Sequence, residues 1–147
     1  MEGLGRAFNL VAAASGRHVS LKDAGGVTFL VFEADGATSI NIKESKAGAT
    51  PQNLPVINHY YTSTGLGGVW TRATADNGGP LDNDHTMVKI DGDNDAVAIY
   101  VDASWLSDGF DSVECTVDGS AICQAIVHDL AVQRAPQNLP AAAVAEV

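Results

Sequence analysis

Val27-Thr28-Phe29-Leu30-Val31-Phe32 is apolar at nearly every position and rich in β-branched and aromatic side chains. That is the composition of a central strand covered on both faces. Its flanks punctuate it. Gly25-Gly26 marks a turn before it and Asp35-Gly36 closes it with hairpin chemistry. Upstream, Val19 and Leu21 alternate with His18, Ser20 and Lys22, a period of two. Downstream, Thr38 to Lys43 sets Ile40 and Ile42 on one side and Ser39, Asn41 and Lys43 on the other, which describes a half-buried strand.

The same period recurs along the chain. Val56 to Thr62, Val69 to Ala73, Thr86 to Ile90 and Ala96 to Val101 read as short strands. In the last of these, Val97, Ile99 and Val101 share a side opposite Ala96, Ala98 and Tyr100, and the small residues suggest a close approach. Asp102 to Gly109 reads as a single helical turn with Asp102 as N-cap and Gly109 ending it. Ser112 to Val117 and Ala121 to Val127 read as a hairpin. A three-residue loop, Asp118-Gly119-Ser120, would set Cys115 opposite Cys123 on a shared face. Glu44 to Pro55, with two prolines and many polar residues, reads as a long loop. About nine short strands with turn signals between them predict an all-β fold, an antiparallel β-sandwich or barrel of jelly-roll type. Residues 1–15 read as an extended N-terminal arm, 16–135 as the β-sandwich domain and 136–147 as a Pro- and Ala-rich C-terminal tail.

At 147 residues the chain has the size of one domain, and with 46% hydrophobic and 18% charged residues it can build a core. Eighteen acidic against eight basic residues give a formal charge of −10. Such a charge repels a phosphate backbone, so no nucleic-acid partner is expected. No stretch is long and apolar enough to suggest a membrane partner, and Met1 to Arg6 lacks the basic region of an export leader. Two cysteines, Cys115 and Cys123, are too few for a disulfide scaffold. They fit buried thiols, with a cross-strand disulfide left open.

Chemistry-bearing motifs are sparse. No Gly-x-Ser-x-Gly elbow, P-loop or dinucleotide fingerprint occurs, and His18, His59, His85 and His128 lack zinc spacing. The expectation is therefore no catalytic residue, no cofactor and no metal site. Asp91, Asp93 and Asp95 alternate as a calcium loop would, but Ala96 stands where that loop needs glycine, and an acidic hairpin turn fits as well. Leu81 to His85 forms a second acidic loop. Tyr60, Tyr61, Trp70 and Trp105 are large aromatics with polar handles, and the first three adjoin irregular loops as interface anchors do. Pro51-Gln52-Asn53-Leu54-Pro55 recurs as Pro136-Gln137-Asn138-Leu139-Pro140, each copy a stiff segment with one projecting leucine suited to a neighbouring groove. The partner-contact candidates are thus Phe8 and Leu10 in the apolar arm, Leu54, Leu139, Tyr60, Tyr61 and Trp70.

Two stretches, Val19-Ser20-Leu21-Lys22-Asp23-Ala24-Gly25-Gly26-Val27-Thr28-Phe29-Leu30-Val31 and Val101-Asp102-Ala103-Ser104-Trp105-Leu106-Ser107-Asp108-Gly109-Phe110-Asp111-Ser112-Val113, resemble a family of small structural proteins of tailed bacteriophages, the head decoration or minor capsid proteins. The similarity runs over most of Val19 to Pro136 and is loose from Glu44 to His85. The resemblance implies a non-enzymatic, β-rich virion protein made in the host cytoplasm. Such a protein binds the major capsid protein on the outside of the head and associates with itself, as a trimer. Two alternatives are another phage component, such as a head-fibre or tail subunit, and a calcium-dependent or carbohydrate-binding sandwich.

Overall fold

The computed structural model describes residues 8–11, 15–32, 38–64, 68–74, 87–90 and 96–130. They form eleven strands: β1 (Phe8–Val11), β2 (His18–Ser20), β3 (Gly26–Phe32), β4 (Thr38–Lys46), β5 (Ala49–Asn53), β6 (His59–Ser63), β7 (Thr71–Thr74), β8 (Met87–Ile90), β9 (Ala96–Asp102), β10 (Ser112–Val117) and β11 (Ile122–His128). The only helical piece among them is the 3₁₀ turn Ala103–Trp105. Asp102 caps that turn as the sequence predicts, its carboxylate accepting from Ser104 N at 2.8 Å.

Four antiparallel pairs are nested along the chain: β2 with β10, β3 with β9, β4 with β8 and β6 with β7. This is one long two-stranded ribbon rolled on itself, the jelly roll. Rolling lays β10 beside β4 and β9 beside β6. The result is a six-stranded sheet, β1-β11-β3-β9-β6-β7, facing a five-stranded one, β2-β10-β4-β5 with β8 also on β4. The fold is an antiparallel sandwich and not a closed barrel. Each strand turns alternate residues inward. Val27, Phe29 and Val31 meet Val97, Ile99 and Val101 in one sheet, and Val19, Ile40, Ile42, Val113 and Cys115 line the other. At roughly 1.5–3 kcal/mol for each fully buried large aliphatic or aromatic side chain, this double layer is the main source of stability.

Three expectations need correction. First, β10 and β11 are not a hairpin. β10 pairs with β2 and β4, while β11 pairs with β1 and β3 in the opposite sheet. Cys115 and Cys123 are neighbours nonetheless, both buried and free, and hydrogen-bonded across the core between the sheets. Second, Glu44 to Pro55 is not a long loop. β4 runs on to Lys46 and returns as β5 through Ala47-Gly48, at φ +47° and +82°, the signs of a two-residue type I′ turn. A bulge shifts the register there, and Pro51 is tolerated because β5 lies on an edge. Third, β3 is central but covered on one face only, since Thr28, Leu30 and Phe32 are half-buried. The arm also contributes a strand, β1, on the edge beyond β11. Asp35-Gly36, Leu81 to His85, Asp91 to Asp95 and the second Pro-Gln-Asn-Leu-Pro copy lie outside the described residues.

Candidate functional site

The large hydrophobic side chains that remain exposed among the described residues are Tyr61, Val69, Trp70, Tyr100, Trp105 and Ile122. All six belong to the six-stranded sheet or adjoin it. Tyr61, Tyr100 and Ile122 stand on β6, β9 and β11, Val69 and Trp70 lead into edge strand β7, and Trp105 sits on the turn after β9. Register explains the clustering. Tyr61 pairs with Ala98, Thr28 with Tyr100 and Ile126 with Thr28, so these positions share the outer face.

The most hydrogen-bonded part of this face centres on Tyr100. Trp105 approaches its ring edge-on at 6.0 Å between centroids, and the His128 ring lies at 6.0 Å with a tilt of 50°. A 2.7 Å hydrogen bond between Thr28 Oγ1 and His128 Nε2 pins the imidazole. Tyr100 Oη donates to Asp102 Oδ2 at 3.2 Å, and Asp102 Oδ1 accepts from Ser104 N and Ser104 Oγ. Two glycines make the room. A Cβ on Gly26 would stand 2.6 Å from Tyr100 Oη, and one on Gly25 would stand 2.8 Å from Asp129 Cβ. Burial pushes the Tyr100 hydroxyl pKa up, and the charges of Asp102 and Asp129 push it further. The Ser104 hydrogen bonds hold the Asp102 carboxyl below its usual range. The patch therefore combines exposed rings with two carboxylates.

The five-stranded sheet carries polar groups on its outer side instead. His18 Nδ1 is 2.7 Å from Ser45 Oγ, and His18 Nε2 is 2.9 Å from Glu114 Oε2, with Lys43 Nζ 3.9 Å from the other carboxylate oxygen. A hydrogen-bonded serine, histidine and carboxylate can form a nucleophilic site only where the serine meets substrate. Ser45 is wholly buried, and its oxygen also accepts from Gly48 N. The string ties β2, β10 and β4 together across the sheet. Among the described residues no group of three His, Cys, Asp or Glu side chains is arranged to hold a metal ion, and no helix is long and apolar enough to cross a membrane.

The contact residues expected from sequence divide. Tyr61 and Trp70 are exposed, at 40% and 45%. Leu54 and Tyr60 are core residues at 2% and 1%, so Leu54 does not project into a neighbour's groove. Phe8 and Leu10 take register positions on β1 opposite His128 and Ile126, and Leu139 lies outside the described residues. The sequence reading missed Val69, Tyr100 and Ile122 and left Trp105 off its contact list. The signal for Tyr100 was present, since it shares the Ala96-Ala98 side of its strand. Compared with family models, with curated proteins and with solved structures, the chain matches none.

Proposed function

We propose that this chain is a non-enzymatic virion protein that decorates a phage head, seating the outer face of its six-stranded sheet on the major capsid protein. The observation that carries the reading is that, among the described residues, the exposed large hydrophobic side chains all lie on that one sheet or beside it. Exposed aromatics concentrated on one rigid face are what protein-binding surfaces share. The jelly roll is common to viral capsid proteins and to lectins, so the fold is compatible with the role without naming it. A trimer on the head exterior would place several such faces on adjacent subunits, and each weak contact then holds its neighbours in place. The net charge of −10 keeps unbound copies apart.

Co-sedimentation of the purified protein with heads that lack it tests the role. A fixed saturating number of copies per head is expected, with binding lost in Ile122→Lys combined with Trp105→Ala. Absence of saturable binding to heads sinks the reading.

A further inference from the structure

We propose that the Tyr100, Trp105 and His128 cluster, flanked by Asp102 and Asp129, is the seat of an arginine side chain presented by the protein partner. The inference rests on the adhesive role given above to the same face, and it names the chemistry that this part of the face recognises.

The cluster is preorganised before any partner arrives. Tyr100 packs against the rings of Trp105 and His128, its hydroxyl is fixed by Asp102, and His128 is fixed by Thr28. The bare backbone of Gly25 and Gly26 lets the ring and Asp129 lie close against the sheet. Tyr100 and Trp105 keep 38% of their surface open. A planar guanidinium stacks on such rings and offers forked N–H donors to carboxylates, which an ammonium or a neutral group does less well.

Among the described residues the charges of Asp102 and Asp129 are unmatched. The ion pairs among the described residues involve Glu114 alone, with His18 and Lys43. Asp102 and Asp129 therefore flank an exposed aromatic surface with no cationic partner among the described residues. Asp102 spends its oxygens on Ser104 and Tyr100, which fixes its position and leaves its charge uncompensated. Asp129 is exposed at the end of β11 with a left-handed backbone, φ +50°. A partner's positive group would complete the arrangement.

The test is an amide NMR titration of the full chain with N-acetyl-arginine amide, with its neutral citrulline counterpart and with methyl glucoside. Saturating shifts confined to residues 100–105 and 128–130 are expected with the arginine compound, at least about threefold tighter than with citrulline. Asp129→Asn keeps the left-handed backbone that asparagine adopts readily, so it removes only charge. It should weaken arginine binding by about threefold or more. Trp105→Ala should abolish the shifts, with an unchanged spectrum elsewhere showing that it is folded. An equal response to citrulline, a stronger response to the glucoside, no saturation, or an indifferent Asp129→Asn each overturns the proposal. Heads that bind wild type and Asp129→Asn equally remove the arginine seat and spare the decorating role. Heads that bind neither remove the role, and the amide titration still decides the seat.

Discussion

Glu44 is a carboxylate on the core-facing side of β4, in line with Ile40 and Ile42 and only 1% exposed. In the sequence its charge looks like the end of the strand. In the structure the charge is satisfied: Oε1 accepts from Gln52 Nε2 and Oε2 from Ser107 N, both at 2.7 Å. Burial pushes its pKa up, and the Ser107 and Gln52 hydrogen bonds outweigh that and leave it below the usual 4.5. Because the folded value is the lower one, Glu44 stabilises the protein above about pH 4.5, and the contribution fades as pH falls through the lowered value. Glu44→Gln is expected to cost about 1–3 kcal/mol at neutral pH. It should also flatten the fall of melting temperature below pH 5, and calorimetry across pH 3 to 7 reads both. Gly26 makes a second case. A methyl there meets Tyr100 Oη at 2.6 Å and the Val101 carbonyl oxygen at 2.7 Å, so Gly26→Ala should lower stability by roughly 1–3 kcal/mol in urea unfolding. The sequence shows this glycine plainly but suggests only a turn, because the ring that needs the space arrives from 74 residues further on, paired through Thr28.

Strands were legible where one face is buried, since alternation is the imprint of burial. Ala96–Val101 and Ser112–Val117 lie inside observed strands for that reason, whereas Val27–Phe32 was legible as a continuous apolar run, which is why its open face was not. β5 shows the converse. It is exposed at all five positions, carries a proline, and so has no alternating pattern to read. The β10 and β11 segments fail differently. Period two states which residues face inward and is silent on which strand lies alongside, so a hairpin and a crossing between sheets look alike. The outer aromatic patch was half-legible on the same grounds. Tyr61 and Trp70 stand out by type, whereas the grouping of Tyr100 with Trp105 and His128 depends on β9 and β11 both flanking β3. The β4–β5 turn offers a check at this scale. Ala47 holds φ +47°, where alanine is strained and asparagine is favoured. Ala47→Asn should therefore stabilise the protein by about 0.5–1 kcal/mol, seen as a higher urea midpoint with an unchanged slope.

For the molecule as a whole, the two facing sheets are joined through their middle by apolar side chains and by the contact of Cys115 with Cys123. Hydrogen bonding to Cys123 and burial push the Cys115 thiol well above its usual range, and the side chain is 1% exposed. Native protein at pH 8 should therefore be alkylated at Cys115 far more slowly than a free thiol, with labelling appearing as the sandwich opens in urea. Mass spectrometry of the labelled peptide reads the result, and rapid native labelling would contradict the packing. The rolled ribbon also joins distant parts of the chain. Phe8 is paired with His128 and Val19 with Val113. A ribosome must therefore deliver nearly the whole body before its opening strands have neighbours, and until then the nascent segment carries unpaired edges that holdase chaperones are built to shield.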